Sequence, residues 1–507
     1  MTKVIRKIII LSATLLTPLA GGETAKANLD IELITWQGEK SNFSDIENTL
    51  TRRIQVDPYS AKDHYLLAHL YIRKYSESPS EMNLLKKASD LAQQSIDLSP
   101  AKEYGYVALA EVLDVMGQTN SALQILRNNS SPFKKGWRTS FIIARLQLDR
   151  LGNDEVLAAL KGALNKKGAS HEIISPYALA IIKSQYQNSQ LLKILRQWNQ
   201  EHPSETFNLA IGNTLVNQGK YKQAHRIYKK IYTPDYKHQE AMLNDAIILA
   251  KHLKKRQKAK TLLRKILKSA AKSSPTNNVR MAAASRQLGE IYLAERKHRF
   301  ARKHFVNAVI ASPNRFRSLE TITESYREHK SYRNLVSTIK ALNEEMPGSG
   351  ILHALLGETL SEDLKDHESA LNAFTDAIIL EPNRSDFYNG MGLAYYRSNK
   401  LNKALSMFNF ASQIDPEDAV AKYNSACVMA RQNKKSEAIT SLREAINLDP
   451  RLIQNAKQDK DFRSIRQTQG FNELIEPHPN YQKHTVSGDG GLMPLHEDEQ
   501  KMPTLSH

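Results

Sequence analysis

The chain has 507 residues, of which 41% are hydrophobic, and a formal net charge of +18. That length and apolar content leave two to four globular domains or one extended repeat array, and the single cysteine, Cys427, excludes an intramolecular disulfide. The charge favours encounters with acidic partners and says nothing of the fold.

The opening residues, MTKVIRKIIILSATLLTPLAGGETAKAN, carry basic Lys3, Arg6 and Lys7, an apolar run from Ile8 to Ala20, and Ala25-Lys26-Ala27 as an A-x-A cleavage site. These are the three parts of a secretory signal, so residues 1–27 are expected to be removed on export to the periplasm, with residues 28–42 as a linker. The apolar run is shorter than the ~20 residues that span a bilayer and contains Pro18. No later run approaches that length, so no transmembrane segment is expected after cleavage; contact with a membrane surface stays open.

From residue 43 the periodicity is helical. Leu67, Ala68 and Tyr71 open a first helix pair, interrupted by SESPSEM and stopped at Pro100. Tyr106, Leu109, Ala110, Gly117, Ala122 and Leu126 mark a second, and Ile211, Gly212, Gly219, Ala224 and Tyr228 a later one. Segments 137–170, 171–203 and 240–275 keep amphipathic spacing without those small residues.

Between Lys220 and Arg315 there are 24 lysines and arginines against five acids, an excess of 19 that is larger than that of the whole chain. In its middle, AKHLKKRQKAKTLLRKILKSAAK (250–272) contains ten basic residues and no acid. Ala259, Leu262, Leu263, Ile266, Leu267 and Ala270 recur at helical spacing, so this is read as a folded helix preceded by a KKRQK turn. Arg264, Lys265, Lys268 and Lys272 fall largely on the opposite face. With Lys254, Lys255, Arg256, Lys258, Arg296, Lys297 and Arg302, the first three of these make the candidate basic face.

Pro313, Pro347, Pro382, Pro416 and Pro450 are spaced 34, 35, 34 and 34 residues apart. Ala301, Ala370, Ala404 and Ala438 each lie 12 residues before their proline, with Phe305, Phe374, Phe408 and Leu442 four residues further on. Tyr388, Met391, Gly392, Tyr395, Ala404, Phe408 and Pro416, and Leu288, Gly289, Tyr292, Ala301, Phe305 and Pro313, follow in order the 34-residue pattern W-x2-L-G-x2-Y, A-x3-F, P. The chain thus resembles the tetratricopeptide repeat family. The resemblance covers about residues 43–450, on the order of ten or eleven repeats, and is strongest at 282–450. It implies an all-α fold, a superhelical solenoid of helix-turn-helix units. Residues 451–477, with Phe462, Ile465, Phe471 and Leu474, would cap its end. Residues 478–507 lack apolar periodicity and read as a disordered tail.

No catalytic constellation is present in the sequence. In GNTLVNQGK (212–220), six residues rather than four separate the glycines, and Tyr221 stands where a phosphate loop needs Ser or Thr. H-E-x-x-H, G-x-S-x-G and paired cysteines are missing, so neither an enzyme nor a metal or other cofactor is expected.

The resemblance implies that the first (A) helix of each repeat lines a concave groove that takes a partner's peptide or helix, with Asn213, Arg286, Glu290, Asn389 and Tyr396 as groove candidates. Only part of the Lys and Asn clamp that grips chaperone C-termini is present, its positions holding Asn389 and then Leu393 in one repeat and Asn424 in the next. By analogy of fold, exported relatives of this kind serve as non-catalytic adaptors in secretion, pilus assembly or exopolysaccharide export in the bacterial envelope. The second expectation is a binding module for an anionic polysaccharide or lipid surface through the basic segment. Nucleic acid is disfavoured, because Tyr228, Tyr292 and Phe305 occupy repeat core positions and cannot stack on bases.

Overall fold

The computed structural model describes residues 32, 35–36, 43–79, 81–128, 132–148, 152–233, 238–272 and 278–475. The expected signal segment, 1–27, and the expected tail, 478–507, lie outside these residues. The described residues are helical with no strand, as the repeat pattern predicts, and form eleven helix pairs between Ala61 and Leu448. They divide into two compact units, residues 1–284 and 285–507.

In the first unit a lone helix, Phe43–Val56, precedes the pairs Ala61–Glu77/Met82–Leu98, Tyr104–Val115/Thr119–Arg127, Trp137–Leu146/Asn153–Leu164, His171–Gln185/Asn188–Glu201, Glu205–Asn217/Tyr221–Tyr232 and Gln239–Lys251/Arg256–Lys272. The second unit begins within the helix Asn278–Ala294, which pairs with His298–Ala311. It continues with Arg315–Glu328/Tyr332–Glu345, Gly350–Glu358/His367–Leu380, Ser385–Arg397/Leu401–Ile414 and Ala419–Arg431/Lys435–Leu448.

Four of the pairs close on an aromatic ring laid over a glycine. A Cβ on Gly289 would sit 2.5 Å from the Phe305 ring, one on Gly357 2.8 Å from Phe374, and one on Gly392 2.5 Å from Phe408. Gly212 meets Tyr228 in the same way. The missing side chain lets the two helices approach closely enough to bury these rings. The second helices end where the prolines predict, with Ala311, Glu345, Leu380, Ile414 and Leu448 each two residues before the proline that cannot continue the ladder.

The turn inside eight of the pairs also repeats. A left-handed residue follows the first helix at Gly117, Gly219, Lys254, Arg296, Lys330, Lys365, Asn399 and Asn433. At most of these turns the next N–H reaches back five residues, as in Lys297 to the Tyr292 carbonyl (2.8 Å), Ser331 to Tyr326 (2.9 Å) and Lys434 to Met429 (2.9 Å). This is the Schellman closure that glycine favours. Four turns carry Lys or Arg there, at a cost of about 1–2 kcal/mol each for the left-handed backbone. Lys330→Gly is therefore expected to stabilise helices 315–328 and 332–345 by about 0.5–1 kcal/mol, part of the relief being returned through the freer unfolded chain. Slower amide exchange in those two helices would show the gain, and unchanged or faster exchange would refute it.

The 35-residue spacing between Pro347 and Pro382 has a local origin. The left-handed residue stands seven positions after the crossing glycine in 212–219, 289–296 and 392–399, but eight positions after it in 357–365. The extra residue is taken up by a π-helical turn, Thr359–Asp363, which continues the helix Gly350–Glu358. Such one-residue insertions are the usual source of π turns.

The last pair is closed by Leu452–Gln458, the 3-10 turn Lys460–Ser464 and Gln469–Ile475. Phe462, Ile465 and Phe471 are fully buried against Tyr423, Cys427 and Leu442, with Leu474 packed at the edge.

Candidate functional site

In the second unit the first helices of three successive pairs, Arg315–Glu328, Gly350–Glu358 and Ser385–Arg397, line a cavity of ≈ 190 Å³. Phe316, Leu319, Ile351, Ala354, Leu355 and Phe387 form its apolar lining, and Thr323 and charged side chains complete it. Arg384 Nε and Nη2 donate to the two Asp386 carboxylate oxygens at 2.9 and 2.6 Å, and its guanidinium lies 4.9 Å from the Phe387 ring centre. Arg327 donates to Glu358 at 2.7 Å and to Asp363, on the π turn, at 3.1 Å. Burial alone would lower the Arg327 pKa, and those two carboxylates more than reverse this, so it is raised and the guanidinium stays charged.

The cations of the lining are thus already matched. Glu320 and Glu324, one helical turn apart on the first of the three helices, pair with no cation among the described residues. A site with an apolar floor and two unmatched carboxylates suits an apolar side chain flanked by basic residues.

The groove candidates fall in different settings. Asn213 accepts from the Tyr228 hydroxyl at 2.5 Å and from Asn244 Nδ2 at 3.1 Å. Asn389 is buried and accepts from Asn424 Nδ2 at 2.9 Å. Both thus tie successive first helices together. Tyr396 donates to Asp461 at 2.5 Å beneath the Arg431 guanidinium, so it anchors the C-terminal turn; burial and that carboxylate push its pKa up. Arg286 and Glu290 pair with each other at 2.8 Å and remain partly exposed. None of these five lines the 316–387 cavity. Sequence reading missed that lining, although Phe316, Glu320 and Glu324, spaced at four residues on one helix face, were the available signal.

In the first unit, Lys254, Lys255, Arg256, Lys258, Arg264, Lys265 and Lys268 are all exposed along one helix and the turn that leads into it. The expected KKRQK turn is shorter than read: the helix begins at Arg256, so Arg256, Gln257 and Lys258 belong to its first turn. Leu262, Leu263 and Ile266 are buried, Leu267 is only half-buried, and Lys260 is buried with the apolar stripe. In the second unit Arg296 and Lys297 are exposed, Lys297 reaching Glu295 at 3.0 Å, and Arg302 donates to Ser337 Oγ at 2.5 Å.

One group among the described residues has metal-ligand chemistry: atoms of Cys427, Asp459 and Asp461 lie within 4.8 Å of one another. Its oxygens are engaged, Asp459 accepting from Tyr423 at 2.9 Å and from the Asp461 N–H at 2.9 Å, and Asp461 from Tyr396. Burial pushes the Cys427 thiol well up, opposing the thiolate a metal needs. No described helix is long and apolar enough to cross a membrane.

No protein-family model matches the chain. Over 94 residues it is 32% identical to Superkiller protein 3 of Schizosaccharomyces pombe, a match spanning 18% of this chain and 7% of that protein. Among solved structures, MamA from Desulfovibrio magneticus RS-1 is similar at 17% identity over 34% of this chain and 96% of its own, with a TM-score of 0.26. The structure of Naa15/Naa10 bound to HypK-THB is similar at 13% identity over 86% of this chain and 72% of its own, with a TM-score of 0.36. The 34-residue pattern, the helix pairs and the rings laid over Gly289, Gly357 and Gly392 together give this chain the architecture of tetratricopeptide repeats.

Proposed function

We propose that the chain is a non-catalytic interaction scaffold that holds a segment of a partner protein against its first helices, with the 316–387 cavity as the principal grip. The observation that carries this reading is a cavity built from three successive pairs, apolar at its floor, with Glu320 and Glu324 unmatched by any described cation. The favoured segment has an apolar side chain between lysines or arginines. The basic start, apolar run and A-x-A site support export to a bacterial envelope, where such a scaffold would assemble secretion, pilus or exopolysaccharide machinery.

Selection of random peptides on the full chain tests this. Basic-apolar sequences should be enriched, and their affinity should fall at least about tenfold in Glu320→Lys/Glu324→Lys while surviving neutralisation of Lys254, Lys255, Arg256 and Lys258. Enrichment of acidic sequences that depend on those four cations would overturn it.

A second reading rests on the exposed cations of 254–268: docking on an anionic polysaccharide or lipid surface. It requires retention on anionic vesicles or polymer that collapses with modest salt and with the same four neutralisations.

A further inference from the structure

Three residues of the stretch expected as a linker, 28–42, are buried in the first unit. Glu32 is 2% exposed, Thr35 0% and Trp36 5%. Glu32 is held by both arms of Arg138, Nε to Oε1 at 2.5 Å and Nη2 to Oε2 at 2.6 Å, and by Lys62 Nζ at 2.9 Å. The Thr35 carbonyl accepts from Arg73 at 2.5 Å. Trp36 lies tilted over His69 with ring centres 3.9 Å apart, meets Phe141 at 5.5 Å, and donates from Nε1 to the Tyr65 hydroxyl at 3.2 Å.

The receiving surface is made by the first helices of the repeats. Lys62, Tyr65, His69 and Arg73 form one stripe of the helix Ala61–Glu77, and Arg138, Phe141 and Arg145 the same i, i+3, i+7 stripe of Trp137–Leu146. Cations alternate with aromatic rings, and the occupant supplies a carboxylate and an indole one helical turn apart. Arg138, charged and bidentate, selects a planar carboxylate, while the paired rings select an aromatic side chain. Burial alone would raise the pKa of Glu32, and Arg138 and Lys62 more than offset this, so the carboxylate is held below its ordinary value of 4.5.

We propose that Glu32–Trp36 is an internal ligand: it fills a groove whose external partner carries the same signature, a carboxylate one turn before an aromatic residue, and the two compete. This rests on the reading of the first helices as a segment-binding surface. Tethering gives the internal segment an effective concentration on the order of millimolar, so an outside segment binds well only when the tether lets go.

The test uses the full chain and a labelled synthetic peptide of residues 28–42. Binding to Glu32→Lys/Trp36→Ala is expected to be at least tenfold tighter than to the parent, and Arg138→Glu added to that variant should abolish it. Equal affinity for parent and variant would overturn self-occupation while leaving the segment-binding surface standing; no binding to either would remove both for this groove. A second measurement does not depend on the peptide. Arg138→Glu should speed proteolytic cleavage before Phe43 at least tenfold, and Glu32→Arg in the same chain should restore protection by reversing the pair. Unchanged cleavage in Arg138→Glu, or no rescue, would overturn the proposal.

Discussion

Phe408→Ala is expected to destabilise the end of the second unit by about 3–5 kcal/mol. The ring is fully buried, lies over Gly392 within its own pair, and packs with Leu393, Ala404 and with Val428 of the following pair. Its loss opens a cavity at two interfaces at once. In a quasi-one-dimensional stack the helices beyond the defect then fray together, because each repeat is stabilised only by its neighbours. Amide exchange should accelerate in 385–397, 401–414 and 419–475 while remaining unchanged in 315–345. The complementary change, Gly392→Ala, gains about 1 kcal/mol of helix propensity. It also places a Cβ 2.5 Å from the same ring, and overpacking of about 1–3 kcal/mol should prevail. Uniform acceleration across the chain, or none, would show that the ring-over-glycine crossing does not organise the pairs.

Glu111→Ala is expected to weaken the first unit by about 3–5 kcal/mol. Glu111 is 1% exposed and joins two first helices to its own, with Oε2 3.0 Å from His69 Nδ1 and Oε1 accepting from Arg145 at 2.7 Å. Removing it leaves the partly buried Arg145 guanidinium without its counter-charge. The pH dependence follows from the same contacts. Burial alone would raise the Glu111 pKa, but His69 and Arg145 lower it below the ordinary 4.5. A carboxylate whose folded pKa is depressed contributes stability that is fully present above its unfolded value and is lost as pH falls through the folded one. Glu32 and Glu47 are shifted in the same direction, so the first unit should loosen as pH drops below about 4.5. Amide exchange of 61–77, 104–115 and 137–146 should rise over that range in the parent and rise less steeply in Glu111→Ala. An equal pH slope in the two proteins would contradict this.

The parts of the structure legible in the sequence are those set by local geometry. The proline spacing fixed the ends of the second helices, and Gly289 with Phe305 or Gly392 with Phe408 announced the crossings, because each is a contact recurring at constant separation. The extra residue between Pro347 and Pro382 was visible as a count, but its place, the π turn 359–363, is decided by which turn can bulge without losing the Gly357–Phe374 contact. Asn389 and Tyr396 were named from their repeat positions. Position gives a helix face and not a partner, and here Asn424 and Asp461 supply the partners. The burial of Glu32 and Trp36 was hidden because nothing repeats around them. The trace they leave lies in a receiving helix, where Arg138 and Arg145 fall seven positions apart on one face, the first bound to Glu32 and the second over the Trp36 ring.

The measurement closest to the central claim is an amide-exchange footprint of a selected peptide on the full chain. Protection confined to the first helices 315–328, 350–358 and 385–397 is the result expected of a scaffold that grips partner segments there. Protection falling instead on the second helices 256–272 and 298–311, with those three unchanged, would contradict it.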